Sequence, residues 1–218
     1  MTPNQDYYDD NYLALLPADR DAAILDLGCG QGDLARYLSD RGYRRVTAVD
    51  RDEAAIAKLP GLPGVTTKAS NIGPAAIEKR RGGWSLIVAK QMIYYFDRRD
   101  ASALISALRD ALAPDGRLII EIFNGGLISG RFTELKDPGI LTAYTENGLR
   151  RLLEQNGLEV ERMAGATLRH RGFRGLVYEM VQALWFKVWR ALLIIERGRD
   201  AELPTIASKT IIAVARRR

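Results

Sequence analysis

The sequence predicts an α/β fold built around a parallel sheet. Short apolar runs typical of buried strands alternate with stretches in which apolar residues recur at helical spacing. A strand, a helix and a second strand in succession form a crossover connection, which makes the two strands parallel. With 218 residues, 47% of them hydrophobic and 27% charged, the chain can bury a core around such a sheet.

Seven strands and five helices follow from these patterns. The predicted strands are Ile24–Leu27, Val46–Val49, Val65–Ala69, Ser85–Ala89, Arg117–Phe123, Leu158–Met163 and Lys209–Ala215. The predicted helices are Asp33–Arg41, Glu53–Leu59, Ala101–Leu112, Glu146–Gln155 and Gly175–Glu196. About 45 residues separate the last two strands, and the last helix lies among them.

A glycine-rich turn follows the first strand in the stretch ILDLGCGQGDL, residues 24–34. Such a turn lets the backbone approach a ligand closely, and the next helix offers its free N–H groups to an anionic part of that ligand. A phosphate-binding loop is excluded because no Gly-Lys-Ser/Thr follows. The dinucleotide fingerprint expects a glycine where this chain has Asp33, and an apolar residue where it has Asp26. The turn therefore indicates a nucleotide-like ligand other than a dinucleotide.

Several segments, in order, resemble the motifs of class I S-adenosylmethionine-dependent methyltransferases. They are ILDLGCGQGDLARYL, TAVDRD, Asn71-Ile72, WSLIVAKQMIYYF, LRDALAPDGRLIIEIF and YTENGLRRLLEQNGLEVERM, which together cover roughly residues 20–165. The resemblance implies a Rossmann-like sheet of seven strands, mostly parallel, with an antiparallel last strand and helices on both faces. In this family the last two strands usually form a tight hairpin, so the helix between strands six and seven is an insertion.

The resemblance implies that the cofactor is S-adenosyl-L-methionine and the product S-adenosyl-L-homocysteine. Asp26 would place a negative charge near the cofactor's ammonium, Asp50 would accept hydrogen bonds from the ribose hydroxyls, and Asn71 would lie near adenine. The expected cofactor-contacting residues are Tyr12, Asp26, Gly28, Cys29, Gly30, Gly32, Asp50, Arg51, Asn71, Ile72 and Lys90. Alternatives remain for three: Asp50 as a helix cap, Asn71 as a plain turn residue, and Cys29, which we expect to be a packing residue and not a nucleophile.

Candidate catalytic residues lie in two places. Methyl transfer from a sulfonium is an in-line displacement, so positioning supplies most of the catalysis and no metal is expected. His170, the only histidine, is a candidate general base, with a lone surface histidine as the alternative. Tyr94 and Tyr95 follow the fourth strand, where either could orient the methyl acceptor or pack in the core.

We expect one domain over residues 1–218 with two accessory segments. Residues 1–20 contain Tyr7, Tyr8 and Tyr12 and are expected to form a lid over the cofactor. Residues 169–205 form the helical insertion, which is broadly apolar and needs a covering. It could be a substrate lid, a homodimer interface, or a peripheral membrane contact through residues 176–195.

The charge is uneven along the chain. Residues 160–218 hold 12 Lys and Arg against 5 Asp and Glu, whereas the whole chain has a net charge of +5. This excess either serves an anionic partner or is a solvated basic tail. The single cysteine and the lack of a signal-peptide pattern predict a cytoplasmic protein, with membrane contact at most peripheral.

The sequence therefore favours a methyltransferase that acts on a small molecule, by O-methylation of a secondary metabolite, a glycan or a lipid-linked sugar. Two alternatives stay open. One is an RNA or protein methyltransferase that uses the basic C-terminal region, although nucleic acid is the less favoured partner because no RNA-binding module is evident. The other is a cofactor-binding protein of the same fold without transferase activity. The sequence leaves both a monomer and a homodimer open.

Overall fold

Seven strands form one sheet in the structure, a computed structural model that describes residues 3–59, 61–74, 77, 83–167, 172–198 and 202–218. They are β1 (Ile24–Leu27), β2 (Val46–Asp50), β3 (Val65–Ala69), β4 (Trp84–Lys90), β5 (Leu112–Phe123), β6 (Leu158–Gly165) and β7 (Thr210–Arg217). All seven predicted strands are present. The fifth begins earlier than predicted: Trp84 pairs with Leu112, and after an irregularity the ladder resumes between Leu86 and Arg117. The segment Leu112–Gly116 is therefore the irregular start of β5.

The helices include the five that the sequence predicts and two more. They are α1 (Pro3–Asn11), α2 (Asp33–Asp40), α3 (Glu53–Ala57), α4 (Arg98–Ala111), α5 (Ile128–Lys136), α6 (Glu146–Gln155) and α7 (Gly172–Arg197). Helix α1 has no apolar periodicity in its sequence PNQDYYDDN, and α5 exposes its large apolar side chains, so neither carries the usual pattern of a helix that packs on a core. Side-chain caps begin three helices, from Asp52 in α3, Asp97 in α4 and Thr145 in α6.

The strand order is β3-β2-β1-β4-β5-β7-β6. Strands β1 to β5 pair in parallel, and β7 pairs antiparallel with both β5 and β6. The sheet thus has six parallel strands and an antiparallel last strand, as predicted. Between β1 and β4 the strand order changes direction, and in open α/β sheets ligands bind at the carboxyl ends of the strands at such a point.

Helices cover both faces of the sheet. On one face the helices α4 and α6 contribute buried residues, among them Leu104, Leu108 and Leu153, to a core that includes Trp84. On the other face α1 and α2 pack aromatic and aliphatic side chains, such as Tyr8 and Leu38, into a core that includes Ile24, Val88 and Ile119. The faces therefore differ in composition, and the tyrosine-rich one lies under α1.

The insertion between β6 and β7 is the long helix α7. Of its residues whose exposure is described, only Gly175 is buried. Helix α7 contacts the rest of the protein mainly through its C-terminal half, where Trp189 Nε1 donates a hydrogen bond to the Gly126 carbonyl over 3.3 Å. No helix in the described ranges combines the length and the apolar character needed to cross a membrane.

Candidate functional site

A cavity of about 640 Å³ lies at the carboxyl ends of β1, β2 and β4. This volume is typical of small-molecule sites. Ten predicted site residues line it: Asp26, Gly28, Cys29, Gly30, Asp50, Arg51, Asn71, Ile72, Lys90 and Tyr95. The lining also contains Tyr8, one of the tyrosines of the predicted lid, and eight residues that the sequence did not single out as site residues: Asp33, Leu34, Asp52, Gln91, Met92, Phe96, Asp137 and Gly139.

Three other predicted residues lie elsewhere. Tyr12 and Tyr94 are buried in the core, and Gly32 is the residue before α2; none of the three lines the cavity. Tyr94 packs in the core, which was one of the two roles that the sequence left open for it. Its ring lies against Phe123 at a centroid distance of 4.9 Å. His170 lies outside the residues that the structure describes.

The glycine turn adopts the conformation that its sequence predicts. Gly28 and Gly30 have φ angles of +75° and +52°, which side chains disfavour. A Cβ on Gly28 would lie 3.1 Å from the Met92 Cβ, whereas the space beside Gly30 is open. Here the backbone itself forms the cavity wall.

Asp50 ties the end of β2 to this turn. Its Oδ2 accepts a hydrogen bond from the Gly30 N–H over 2.7 Å, and its Oδ1 accepts one from the Asp52 N–H over 2.9 Å. The cap of α3 is Asp52, which accepts from the N–H groups of Ala54 and Ala55. Asp50 is therefore not the helix cap that the sequence left as an alternative, and its carboxylate faces the cavity.

Asp26 is a buried carboxyl group in the wall of the cavity. It is 2% exposed, and among the described residues its Oδ2 has no hydrogen-bond partner. Burial raises the pKa of Asp26 to about 7; the negative charges of Asp50 and Asp33 add to the rise, and the positive charge of Lys90 opposes it. An unpaired buried acid beside open space is suited to a cationic ligand group.

Lys90 lies at the end of β4, on the same face of the sheet as Asp26. Its Nζ donates a hydrogen bond to the Tyr8 hydroxyl over 3.3 Å and lies 5.5 Å and 5.2 Å from the ring centres of Tyr7 and Tyr8. A positive charge over aromatic faces is stabilised by cation–π attraction. The lysine thus joins helix α1 to the cavity.

Glu121 lies beside Lys90 on β5 and is 2% exposed. Its Oε2 accepts hydrogen bonds from the hydroxyls of Tyr7 (2.8 Å) and Tyr12 (2.5 Å), and its Oε1 accepts one from Gln91 Nε2 (3.1 Å). Sequence reasoning missed this residue, although one signal was present: a lone acid within the apolar strand RLIIEIF. Glu121 connects α1 to the residue that follows β4.

Tyr95 and Asp137 stand together on another part of the cavity wall. The Tyr95 hydroxyl donates a hydrogen bond to Asp137 Oδ2 over 2.9 Å, and Asp137 Oδ1 accepts one from the Gly139 N–H over 2.9 Å. Partial burial and then the bond to Asp137 raise the pKa of Tyr95, so its hydroxyl stays protonated near neutral pH. The pair offers a ligand one carboxylate and one hydroxyl.

Cys29 lines the cavity as a thiol. Burial, followed by the charges of Asp26 and Asp50, raises its pKa to about 12. The nucleophilic form of cysteine is the thiolate, which is scarce at neutral pH with such a pKa. This agrees with the expectation that Cys29 is a packing residue.

A comparison of the sequence with models of known protein families identifies the family of the chain. The model of a family described as a methyltransferase domain matches residues 4–162, which is more than half of the chain and includes every strand around the cavity. The chain belongs to this family. It is a class I S-adenosylmethionine-dependent methyltransferase, as the motif resemblance predicts.

Individual relatives agree with this assignment. A trans-aconitate 2-methyltransferase from Streptomyces avermitilis is 30% identical over 116 residues, which are 49% of this chain and 40% of that protein. The chain therefore matches less than half the length of this curated relative.

Solved structures share the fold. A TehB-like S-adenosylmethionine-dependent methyltransferase from Corynebacterium glutamicum has a TM-score of 0.59 and 20% identity, over 99% of this chain and 88% of that one. Magnesium protoporphyrin IX methyltransferase from Synechocystis, with bound S-adenosylhomocysteine, has a TM-score of 0.60 and 18% identity, over 99% and 83%. At these identities the likeness is one of fold.

The residues present fit the cofactor of this family. S-adenosylmethionine carries an ammonium, a carboxylate, a ribose and an adenine. The cavity offers the unpaired Asp26 carboxyl, the Lys90 ammonium, the Asp50 carboxylate and an exposed glycine backbone. The charged groups of the cavity are thus opposite in sign to the charged groups of the cofactor that they would bind.

We predict that Asp26→Asn stabilises the ligand-free protein at alkaline pH. The native pKa of about 7 lies above the usual value of 3.8, so the native state binds more protons than the unfolded state between these values. The contribution of Asp26 to the free energy of unfolding is therefore lost as pH rises from about 4 to about 7. Urea denaturation should show the variant to be more stable than wild type at pH 8, by up to a few kcal/mol, and close to wild type at pH 4.5. Equal differences at both pH values would contradict the raised pKa.

Proposed function

We propose that this protein transfers a methyl group from S-adenosylmethionine to an oxygen atom of a small molecule. The observation that carries the proposal is the cavity at the strand ends, where an unpaired buried carboxyl, a backbone-lined turn and the Asp50 carboxylate face the same space. These are the donors and acceptors that the cofactor requires at its methionine and ribose ends.

The methionine end of the cofactor would be held by opposite charges. Asp26 would receive the ammonium, which gives its unpaired Oδ2 a donor. Lys90 would supply the countercharge for the carboxylate, assisted by the Tyr8 hydroxyl with which it is hydrogen-bonded. Because Asp26 and Tyr8 are buried, their interactions with the ligand would be stronger than at the protein surface.

The nucleoside end would lie along the end of β2. The Asp50 carboxylate keeps accepting capacity beyond its two backbone bonds and would bind the ribose hydroxyls. Asn71 and Ile72, also in the cavity lining, would flank the adenine with an amide and an apolar side chain. Arg51 follows Asp50, and its Cζ lies 5.8 Å from the centre of the Tyr95 ring. Arg51 would therefore lie next to the nucleoside end of the cofactor.

The cofactor supplies an activated methyl group when bound, which leaves positioning and exclusion of water to the protein. We assign the positioning of the acceptor to the Tyr95–Asp137 pair. The Asp137 carboxylate would accept a hydrogen bond from an acceptor hydroxyl, and the Tyr95 hydroxyl would hold that carboxylate in place. His170 remains a predicted base from sequence, and Tyr94 would support Tyr95, whose ring centre is 4.7 Å away.

Helix α1 would act as the lid of the cofactor cavity. Tyr8 lines the cavity, and the neighbouring Tyr7 and Tyr12 are anchored on Glu121 beneath the helix. Burying a carboxylate is costly unless donors surround it, and here two hydroxyls and one amide do so. The Glu121 anchor would thereby hold Tyr8 at the cofactor.

A small acceptor is supported by two observations. The cavity of about 640 Å³ has the volume of a small-molecule site, and it must hold the cofactor as well. The curated relative is named for trans-aconitate, a small organic acid. An acid of this kind offers oxygen as the atom to be methylated.

We predict that Asp26→Asn weakens binding of S-adenosylhomocysteine even though it stabilises the ligand-free protein. The loss of a charged partner for the ammonium corresponds to about a ten- to hundredfold rise in Kd. In wild type the affinity should increase from pH 6 to pH 8 as Asp26 ionises, and in the variant this increase should disappear. Isothermal titration calorimetry measures both effects. Asp115→Asn, an exposed acid near the start of β5, should leave the affinity unchanged.

We predict that Glu121→Gln raises the Kd for S-adenosylhomocysteine about five- to tenfold, because an NH₂ group replaces one of the two acceptor oxygens, so that either the tyrosine hydroxyls or Gln91 lose their acceptor. Glu146 is a matched control: this second buried carboxylate accepts from Thr205 N, Thr205 Oγ1 and Ile206 N and is not part of the cavity lining. Glu146→Gln should lower the melting temperature without a change in affinity. If both variants change affinity alike, the anchoring role of Glu121 is wrong.

We predict that the protein forms S-adenosylhomocysteine from S-adenosylmethionine in the presence of small hydroxyl or carboxyl compounds. The assay uses methyl-labelled cofactor with three acceptor groups: a panel of organic acids, phenols and sugars; bulk tRNA; and unfolded protein. Asp50→Ala serves as the binding-deficient control, and Tyr95→Phe should lower kcat more than it raises the Kd for the cofactor. Methyl label found only in tRNA or only in protein would overturn the choice of a small-molecule acceptor. Cofactor binding without transfer to any acceptor would indicate a cofactor-binding protein without transferase activity.

A further inference from the structure

Gln91, the residue that follows β4, has an unusual backbone conformation. Its φ angle is +52°, and it is the only residue other than glycine with a positive φ in the part of the chain that the structure describes. The Cβ atom makes this left-handed conformation costly, and such strain is retained where the surroundings require it, often at functional sites. Gln91 also lines the cofactor cavity, so the strain lies within the site.

Gln91 is bound to Glu121 through its main chain and its side chain. The Gln91 N–H donates a hydrogen bond to the Glu121 carbonyl over 2.7 Å, and Gln91 Nε2 donates one to Glu121 Oε1 over 3.1 Å. The other carboxylate oxygen accepts from the hydroxyls of Tyr7 and Tyr12. One end of the Gln91 amide therefore contacts the group that anchors α1.

The other end of the amide contacts the acceptor side of the cavity. Gln91 Oε1 accepts a hydrogen bond from the Tyr94 hydroxyl over 3.3 Å. The Tyr94 ring centre lies 4.7 Å from that of Tyr95, whose hydroxyl donates to Asp137. Gln91 thus connects the anchor of α1 to the pair that we assign to the acceptor.

Tyr94 also holds the segment that follows Asp137. Its carbonyl accepts hydrogen bonds from the N–H groups of Leu141 and Thr142, over 2.9 Å and 3.1 Å. The position of Tyr94 therefore affects both ends of this segment: Asp137 through Tyr95, and the later residues through the Tyr94 carbonyl.

A glutamine suits this place because its amide donates at one end and accepts at the other. An ionised glutamate would offer no donor to Glu121 and would add a second negative charge beside it. Glycine would adopt the positive φ angle without strain but would provide neither side-chain hydrogen bond. The strained backbone is therefore retained together with a side chain that serves both partners.

We propose that Gln91 is a positioning residue that couples the lid helix α1 to the Tyr95–Asp137 pair. A ligand in the cavity orders α1, and this order reaches Tyr94 through Glu121 and Gln91. The acceptor pair is then held in place when the cofactor is bound, which is when methyl transfer requires it. This coupling rests on the proposed function, which assigns the acceptor to Tyr95 and Asp137.

Hydrogen–deuterium exchange of the full chain, with S-adenosylhomocysteine as the ligand, tests this coupling. In wild type the saturating ligand should slow exchange at least about fivefold both in α1 and in residues 137–142. Gln91→Gly keeps the backbone conformation and removes the amide, so α1 should stay protected while the effect in residues 137–142 falls below about twofold. Tyr94→Phe, which removes only the hydroxyl that binds Gln91, should have the same effect.

Asn156→Ala is the matched control. This amide also donates at one end, to the Leu152 carbonyl, and accepts at the other, from the hydroxyls of Ser102 and Ser106, but it lies outside the cavity lining. Its loss should lower the melting temperature and leave the ligand-dependent protection of residues 137–142 as in wild type.

Kinetics provide a second readout, with the most active of the organic acids, phenols and sugars as the acceptor. Gln91→Gly should lower kcat about tenfold and raise the Kd for S-adenosylhomocysteine less than about threefold, because the acceptor and not the cofactor loses its position. A merely structural role would lower the melting temperature and leave the kcat of the folded enzyme unchanged.

Any of three results would overturn the proposal. They are exchange in α1 or in residues 137–142 that the ligand does not change in wild type, protection of residues 137–142 that Gln91→Gly and Tyr94→Phe both keep, and a loss of that protection in Asn156→Ala as well. Exchange that behaves as expected, without methyl transfer to any acceptor, would count against the proposed function alone.

Discussion

A half-buried lysine stands between two buried carboxyl groups at the ligand-binding edge of the sheet, and much of the site depends on this arrangement. Asp26 on β1, Lys90 on β4 and Glu121 on β5 lie on one face of three adjacent strands. The two acids are each 2% exposed. Charges in such a position are tolerated only where hydrogen bonds or opposite charges compensate for the lost water.

The burial of the two acids is compensated differently, and the two acids therefore have different roles. Glu121 receives three hydrogen bonds from the protein itself: one from Tyr7 of α1, one from Tyr12, which directly follows α1, and one from Gln91. Asp26 keeps an oxygen without a partner in the described part of the chain, and its pKa rises accordingly. Glu121 is thus a stabilising contact for α1, while Asp26 keeps an oxygen that a ligand could bind. Lys90 links the two by contacting the tyrosines of α1 on one side and lowering the pKa of Asp26 on the other.

The parallel strands make this edge a single site. Because β1, β2 and β4 run in one direction, the glycine turn, Asp50 and Lys90 all emerge at the same end. The insertion of α7 does not disturb this edge, since β7 still pairs antiparallel with β5 and β6 on either side. The sheet of this protein therefore accommodates a 26-residue helix between its last two strands, with β7 still paired to both β5 and β6.

The sequence by itself determined the sheet, the family and most of the cavity lining, because these depend on local patterns: apolar runs, a glycine turn, and acids at strand ends. It did not reveal α1, whose sequence has no apolar periodicity, or α5, whose apolar side chains stay exposed, nor the roles of Glu121 and Asp137. Those side chains come from segments far apart in the chain, and only the packing of α1 on the sheet and of the loop after α5 on Tyr95 brings them together. The tertiary structure also decided between Tyr8 and Tyr12, four residues apart on neighbouring turns: one lines the cavity and the other binds the buried Glu121. Sequence spacing defines which residues share a side of a helix, but the docking of that helix decides which of them reaches the ligand.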